Sequence, residues 1–165
     1  MEKIRFHNDI LPLKDKIFRL ALRITLRREV AEDITQETLV RVWERRGEWD
    51  TIENMEVYCL TIGRRLAIDH LRQRQQQTER EGEITDYHLS AASTDRMADE
   101  VLDQKQRVAQ VMELIEQLPE MQRTIIEMRD IEGLKYDEIA QVTGLNETQV
   151  KVYLHRARKK IRESL

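Results

Sequence analysis

Residues 134–158 read LKYDEIAQVTGLNETQVKVYLHRAR, and this stretch predicts two short helices separated by a tight turn. Ile139 supplies the packing side of the first helix, and Gly144 permits the positive φ that the turn requires. Leu145 fills the core beneath the turn, and Asn146 is the expected N-cap of the second helix. The stretch therefore predicts a helix-turn-helix motif.

The second helix of this motif is predicted over residues 147–163 and has two faces of different chemistry. Its apolar face consists of Val150, Leu154, Ala157 and Ile161. Residues 151–162 contain six basic side chains and no acidic one. Such a face suits a DNA major groove, with base edges near the N-terminal half and phosphates near the C-terminal end. The candidate contact residues are Thr148, Lys151, Val152, His155, Arg156, Lys159 and Arg162.

The composition of the whole chain favours helices. Its 165 residues include only five glycines and two prolines, and aromatic residues make up 5%. This balance predicts an all-α fold and argues against a β-sandwich or barrel. The net charge is −3, but a local basic face matters more to a polyanion than the total charge does.

Several classes of protein are excluded by what the sequence lacks. No apolar run approaches the roughly 20 residues of a membrane span, so we expect no membrane insertion. Cys59 is the only cysteine, which rules out a disulfide framework within the chain and favours a reducing cytoplasm. The four histidines are scattered, and no nucleotide-binding or nucleophile motif is present. We therefore expect no metal, no cofactor and no enzymatic activity.

Two helical domains are predicted, with a linker between them. Helical periodicity extends over residues 10–26, 29–46, 54–74, 98–118, 121–132 and 136–143. Residues 76–105 carry eight acidic and three basic side chains, and this part of the chain is poor in apolar residues. We interpret 76–103 as an acidic flexible linker between domains at 5–75 and 104–165.

Three segments together point to a family. Residues 31–44, AEDITQETLVRVWE, resemble the Asp-x-x-Gln-Glu helix of bacterial RNA polymerase sigma factors. Residues 61–72, TIGRRLAIDHLR, resemble their promoter-melting helix. Residues 118–123, LPEMQR, followed by the helix-turn-helix, resemble the sigma C-terminal domain. The order of the segments and the short linker are similar to the compact extracytoplasmic-function (ECF) group.

The resemblance implies a role for each domain. The acidic side of the second helix would dock on a coiled coil of the polymerase largest subunit, through Asp33, Gln36, Glu37, Arg41 and Glu44. The third helix and the loop before it would recognise and melt the −10 element by holding a base flipped from the non-template strand. The residues implied there are Trp49, Thr61, Arg65, Asp69 and Arg72, although a core position is the commoner environment for such a Trp. The seven residues of the helix-turn-helix would read the −35 element.

Two departures from the family pattern are visible. Tyr58-Cys59 stands where Trp-Leu is common, and Arg65 stands where Asn is common. The second departure affects base preference, because Arg only donates hydrogen bonds whereas Asn both donates and accepts. We interpret Cys59 as a small buried hydrophobe.

The expected function is that of a sigma factor, which binds core RNA polymerase and recognises and melts promoter DNA. The resemblance also leaves room for an anti-sigma protein as a partner. Two alternatives remain open from the residues alone. One is a dimeric helix-turn-helix regulator that acts without polymerase, and the other is a helical protein-interaction adaptor with a basic C-terminal helix.

Overall fold

The computed structural model describes residues 4–81 and 100–165, and this part of the chain is helical and has no β-strand. The described residues form seven α-helices: α1 (Lys14–Thr25), α2 (Arg28–Glu44), α3 (Met55–Glu81), α4 (Glu100–Glu116), α5 (Glu120–Ile126), α6 (Tyr136–Thr143) and α7 (Glu147–Ser164). Short π-helical turns span Phe6–Ile10 and Glu127–Ile131, and 3-10 turns span Leu11–Leu13 and Arg46–Thr51. The predicted all-α fold with two helical domains is confirmed. None of the helices in the described ranges is long and apolar enough to cross a membrane.

The N-terminal domain is a bundle of α1, α2 and α3. Ile17, Leu20 and Ile24 lie on one side of α1 and are almost completely buried, as the helical spacing predicts. Gly63 allows α3 to approach α1 closely, because a Cβ atom at this position would lie 3.2 Å from Cγ2 of Ile17. At this position in the first half of α3, the approach to α1 leaves little room for a side chain larger than that of glycine.

The ends of α3 differ in how well the sequence predicted them. Asn54 caps the N-terminus as expected, since its side-chain oxygen accepts a hydrogen bond from the Val57 N–H at 3.1 Å. The C-terminus extends to Glu81 rather than to residue 74, because Gln, Arg and Glu are good helix formers. Residues 76–81 of the predicted linker are thus helical, as are residues 100–103 at its other end. The rest of the predicted linker, residues 82–99, lies outside the described residues.

The C-terminal domain contains the predicted helix-turn-helix. Gly144 ends α6 with φ of 79°, and Asn146 caps α7 by accepting a hydrogen bond from the Gln149 N–H at 2.8 Å. The four predicted apolar residues of α7 are all buried. The helix predicted over residues 121–132 is interrupted, because α5 gives way to the π turn after Ile126. The two helices of the helix-turn-helix, α6 and α7, nevertheless begin and end close to where local sequence signals place them.

The two domains pack against each other, and charged side chains form much of the joint. Arg19 of α1 donates two hydrogen bonds to the Glu132 carboxylate, both at 2.7 Å. Arg23, one turn later, contacts Glu127 at 3.2 Å. Glu127 is fully buried in the structure, and Glu132 is 3% exposed at its side chain. We call these two ion pairs the arginine joint.

Arg123 forms a second part of the contact between the domains. Its guanidinium donates to the backbone carbonyls of Arg23 at 2.7 Å and Ile24 at 3.0 Å, at the C-terminal end of α1. It also donates to the carbonyl of Leu118 in its own domain at 2.7 Å. These α1 carbonyls belong to the last turn of a helix, where no intrahelical donor remains for them. Arg123 thus links the end of α1 to the chain just before α5.

Candidate nucleic-acid interface

The predicted DNA-reading residues all lie on the exposed part of α7. The buried stripe of the helix faces α5 and α6, and all seven predicted contact residues are exposed. Val152 is 42% exposed although it is apolar, as a contact with a thymine methyl group would require. The geometry therefore offers a continuous surface of mixed small, apolar and basic side chains.

One flank of this surface borders a groove between α4, the second π turn and α7. Lys151, His155 and Arg162 line the groove, which has a volume of about 630 Å³. The Lys151 ammonium lies 5.2 Å from the centre of the Tyr136 ring. These three residues therefore stand at the edge of the exposed face, and Thr148, Val152, Arg156 and Lys159 form its middle.

Arg158 belongs to the same basic run but has a different environment. Its Nε atom donates to Asp130 at 3.0 Å, and this hydrogen bonding raises the pKa of Arg158. The pair joins α7 to the second π turn, so Arg158 braces the recognition helix.

The predicted strip on α3 is divided between two surfaces. Thr61 and Arg65 line a cleft of about 760 Å³ between α3 and α6, which we call the α3–α6 cleft. Asp69 instead lines a groove of about 440 Å³ between α2 and α3. Arg72 is exposed. The strip residues therefore remain on one side of α3, but Thr61 and Arg65 line one concave surface and Asp69 lines another.

Trp49 does not present a ring for stacking. It is 6% exposed, and its indole N–H donates to the Val42 carbonyl at 2.9 Å. The short 3-10 turn folds the side chain back onto α2, so the core environment applies. Trp49 thus occupies the core position that is the commoner environment for such a Trp, and its ring is covered in this conformation.

Of the two tryptophans Trp43 is the exposed one, although the sequence motifs did not single it out. It is 47% exposed, and the Arg46 guanidinium lies 4.6 Å from the centre of its ring. The helical period does indicate this exposure. Val42 is a core residue, and Trp43, the next residue, points about 100° away from it around the helix.

The α3–α6 cleft contains further side chains that sequence reasoning did not select. Arg45 and Tyr58 line it from the N-terminal domain, and Lys135 lines it from the C-terminal domain. The Tyr58 hydroxyl is buried and makes no hydrogen bond with any residue in the described ranges. Cys59, its neighbour, is fully buried as expected, and burial raises the pKa of its thiol to about 12.

The candidate polymerase-binding face is exposed on α2. All five predicted residues are exposed, whereas Ile34, Thr38 and Val42 on the other side of the helix are buried. Arg41 donates to Glu37 at 3.0 Å, one turn away. Asp33, Glu37 and Arg41 line the same groove as Asp69, so an α3 carboxylate adds to this acidic face.

The fold and its surfaces define a two-domain helical protein with a helix-turn-helix. The family model "Sigma-70 region 2" matches residues 10–77, and "Sigma-70, region 4" matches residues 109–161. The chain therefore belongs to the sigma-70 family of RNA polymerase sigma factors, in its ECF group.

Curated relatives agree with this assignment. "Probable ECF RNA polymerase sigma factor SigI" of Mycobacterium tuberculosis is 32% identical over 148 residues, which are 88% of this chain and 50% of that protein. "ECF RNA polymerase sigma factor SigW" of Bacillus subtilis is 27% identical over 157 residues, covering 92% and 84% of the two chains. The chain thus spans half the length of the first of these relatives.

Solved structures of sigma factors share the fold. RpoE of Bartonella quintana, in complex with the anti-sigma factor NepR, superposes with a TM-score of 0.77 at 19% identity, over 96% of this chain and 94% of that chain. CnrH, in complex with the cytosolic domain of CnrY, superposes with a TM-score of 0.63 at 18% identity, over 93% and 82%. At these identities the similarity concerns the arrangement of the helices.

Proposed function

We propose that this chain binds core RNA polymerase in the cytoplasm and directs it to promoters, reading one promoter element as duplex and holding a second as an unpaired strand. The observation that carries the proposal is the combination, in one sigma-family chain, of an exposed basic recognition helix and a separate acidic face on α2. The polymerase would supply the catalytic chemistry. The chain would supply recognition.

The upstream (−35) element would be read by α7. Its groove-facing residues are Thr148, Lys151, Val152, His155, Arg156, Lys159 and Arg162. Base contacts specify sequence, and phosphate contacts fix the position of the protein on the duplex. Arg156 lies in the middle of the exposed face, and Lys159 follows nearly one turn later. We assign base reading to Arg156 and phosphate binding to Lys159.

The downstream (−10) element would be held as a single strand along α3. Thr61 and Arg65 share the α3–α6 cleft, and Arg45 adds a second cation to it. Since Arg65 can only donate, it would favour a base edge that presents acceptors, such as guanine N7 and O6. Asp69 and Arg72 would contribute from outside the cleft.

Polymerase docking would use Asp33, Gln36, Glu37, Arg41 and Glu44. Carboxylates on one exposed helical face can pair with a basic surface, and such pairing weakens as salt is added. An anti-sigma protein would compete for this chain, as NepR is found in complex with RpoE in a structure of the same fold.

The direct test is transcription. The purified chain is mixed with core polymerase and genomic DNA, and the 5′ ends of the transcripts are sequenced. Start sites that share two spaced elements support the proposal. A dimer that binds a palindrome without polymerase would favour an independent regulator, and no DNA binding even with polymerase would favour an adaptor.

Reversing the charge of Asp33 and Glu37 together to Lys should weaken core polymerase binding by about tenfold at moderate salt. The matched control reverses Glu32 and Glu48, which are also exposed acids of the N-terminal domain. Affinities are measured by titration of labelled protein, and helix content by circular dichroism. Equal affinities for the two double variants would remove the docking assignment.

Arg156→Ala should cost on the order of 1–3 kcal/mol and relax sequence preference at particular −35 positions. Lys159→Ala should weaken all promoters about equally and reduce the salt slope by about one unit. Selection from a randomised −35 element at two salt concentrations measures both effects. If Lys159→Ala changes the preferred sequence while Arg156→Ala lowers affinity uniformly, the helix is rotated in the groove relative to our assignment.

A further inference from the structure

Tyr136 is the first residue of α6, and its ring lies beside two cations from other parts of the C-terminal domain. The Arg129 guanidinium lies 4.3 Å from the centre of the ring, and the Lys151 ammonium lies 5.2 Å from it. Both distances are within the range over which the face of an aromatic ring attracts a cation. One side chain therefore connects the second π turn, α6 and the recognition helix α7.

The orientation of the Tyr136 ring is fixed by its surroundings. Arg129 donates to the Leu134 carbonyl at 2.9 Å, in the short segment between the second π turn and α6, so the guanidinium beside the ring is itself held in place. Tyr136 is partly buried and packs against the core of its domain. The ring therefore offers Lys151 a surface with few alternative positions.

Lys151 contacts this ring rather than a carboxylate. Arg158, two turns further along α7, is hydrogen-bonded to Asp130, whereas no carboxylate of the described residues forms an ion pair with Lys151. A lysine has a flexible four-carbon stem and three ammonium donors. The ring restrains the stem, and the donors that point away from the ring remain available to an anion, because Lys151 is exposed.

We propose that Tyr136 is a positioning residue for DNA binding, which holds the Lys151 ammonium at the junction of α6 and α7 for contact with a phosphate. This inference rests on the proposed function, because it concerns the reading of the −35 element by α7. In a helix-turn-helix the first helix crosses the DNA backbone while the second enters the major groove. A cation held beside the first residue of α6 is therefore placed for backbone contact, although Lys151 lies in the N-terminal half of α7.

This assignment gives Lys151 a different task from Arg156, which lies in the middle of the exposed face. A phosphate contact fixes the position of the protein and carries no sequence information directly. Lys151 would thus contribute affinity and salt dependence, and Tyr136 would determine how much of that contribution is realised.

The test is a double-variant cycle in the full-length chain assembled with core polymerase. Tyr136→Leu removes the ring and keeps an apolar side chain, and Lys151→Met removes the charge and keeps a stem of similar length. Tyr136→Phe is the matched control, because it keeps the ring and removes only the hydroxyl. Fluorescence anisotropy measures the affinity of each holoenzyme for a labelled duplex that carries the −35 element, at two salt concentrations, and circular dichroism reports helix content.

Tyr136→Leu should lower affinity about two- to fivefold more in the parent chain than in the Lys151→Met background. Any loss of packing is present in both backgrounds, so the ratio isolates the contact with Lys151. Lys151→Met should reduce the salt slope by about one unit and leave the preferred −35 sequence unchanged. Tyr136→Phe should bind as the parent chain does.

Equal losses in the two backgrounds would show that Tyr136 acts only through the fold. A Tyr136→Phe variant that binds as weakly as Tyr136→Leu would assign the effect to the hydroxyl, and a changed sequence preference in Lys151→Met would place the ammonium on a base. If Lys151→Met binds as the parent does, the inference fails. Arg156→Ala then tests the proposed function separately: a relaxed sequence preference keeps α7 as the reader of the −35 element, and unchanged binding removes it.

Discussion

Replacing Arg123 by Ala is expected to lower the free energy of unfolding by about 3–5 kcal/mol. The guanidinium donates to three backbone carbonyls, two of them at the end of α1 in the other domain. Burial lowers the pKa of Arg123, while Glu120 and Glu116 act in the opposite direction. Without the side chain, these carbonyls lose a charged donor in a region that is partly closed to water, and the link between the domains is lost.

Chemical denaturation followed by circular dichroism measures this loss. Arg123→Lys should recover only part of it, because one ammonium group cannot reproduce the planar fork of donors. Arg107→Ala removes an exposed arginine from α4 and should change stability by less than about 0.5 kcal/mol. Equal stability of Arg123→Ala and Arg107→Ala would show that the three hydrogen bonds contribute little.

The stability of the chain is expected to fall by up to about 3 kcal/mol as pH rises from about 4.5 to 7, through Glu127 alone. Burial raises the pKa of this carboxyl from 4.5 to about 7, Arg23 partly offsets the rise, and Glu132 adds to it. The folded chain therefore holds a proton that the unfolded chain releases within this window. The stabilisation is complete below 4.5 and is lost as pH rises through 7.

Glu127→Gln isolates this contribution, because the amide cannot ionise. Unfolding free energies of the two proteins are compared at half-unit steps of pH from 5 to 8. The variant should gain stability relative to the parent as pH rises, and the difference should level off above pH 7. A difference that is constant across the range would mean that Glu127 does not bind a proton in the folded chain.

Local signals explain why the helix-turn-helix could be predicted closely. Gly144 and Asn146 act within a few residues of their own positions, and both have the conformations that the sequence indicates. The arginine joint has no such signal, since Arg19 and Glu132 are 113 positions apart. Charged residues on a helix usually face solvent, so the sequence gives no reason to pair Arg19 with Glu132. Only the packing of the two domains brings these side chains together.

The candidate −10 site on α3 was likewise predictable only in its local geometry. The helical period placed Thr61, Arg65 and Asp69 on one strip of α3, and that geometry is compatible with the structure. The period does not reveal which helix packs beside each edge of the strip. Because α6 lies at one edge and α2 at the other, Thr61 and Asp69 line different surfaces.

The burial of Cys59 makes the chain convenient for optical measurement of domain motion. The sole thiol is fully buried, and burial raises its pKa to about 12, so maleimide reagents would leave it unmodified at pH 7. A pair of cysteines introduced on α1 and α7 would then carry donor and acceptor dyes without removal of a native residue. The distance between the dyes would report the spacing of the two domains in single molecules, with and without polymerase.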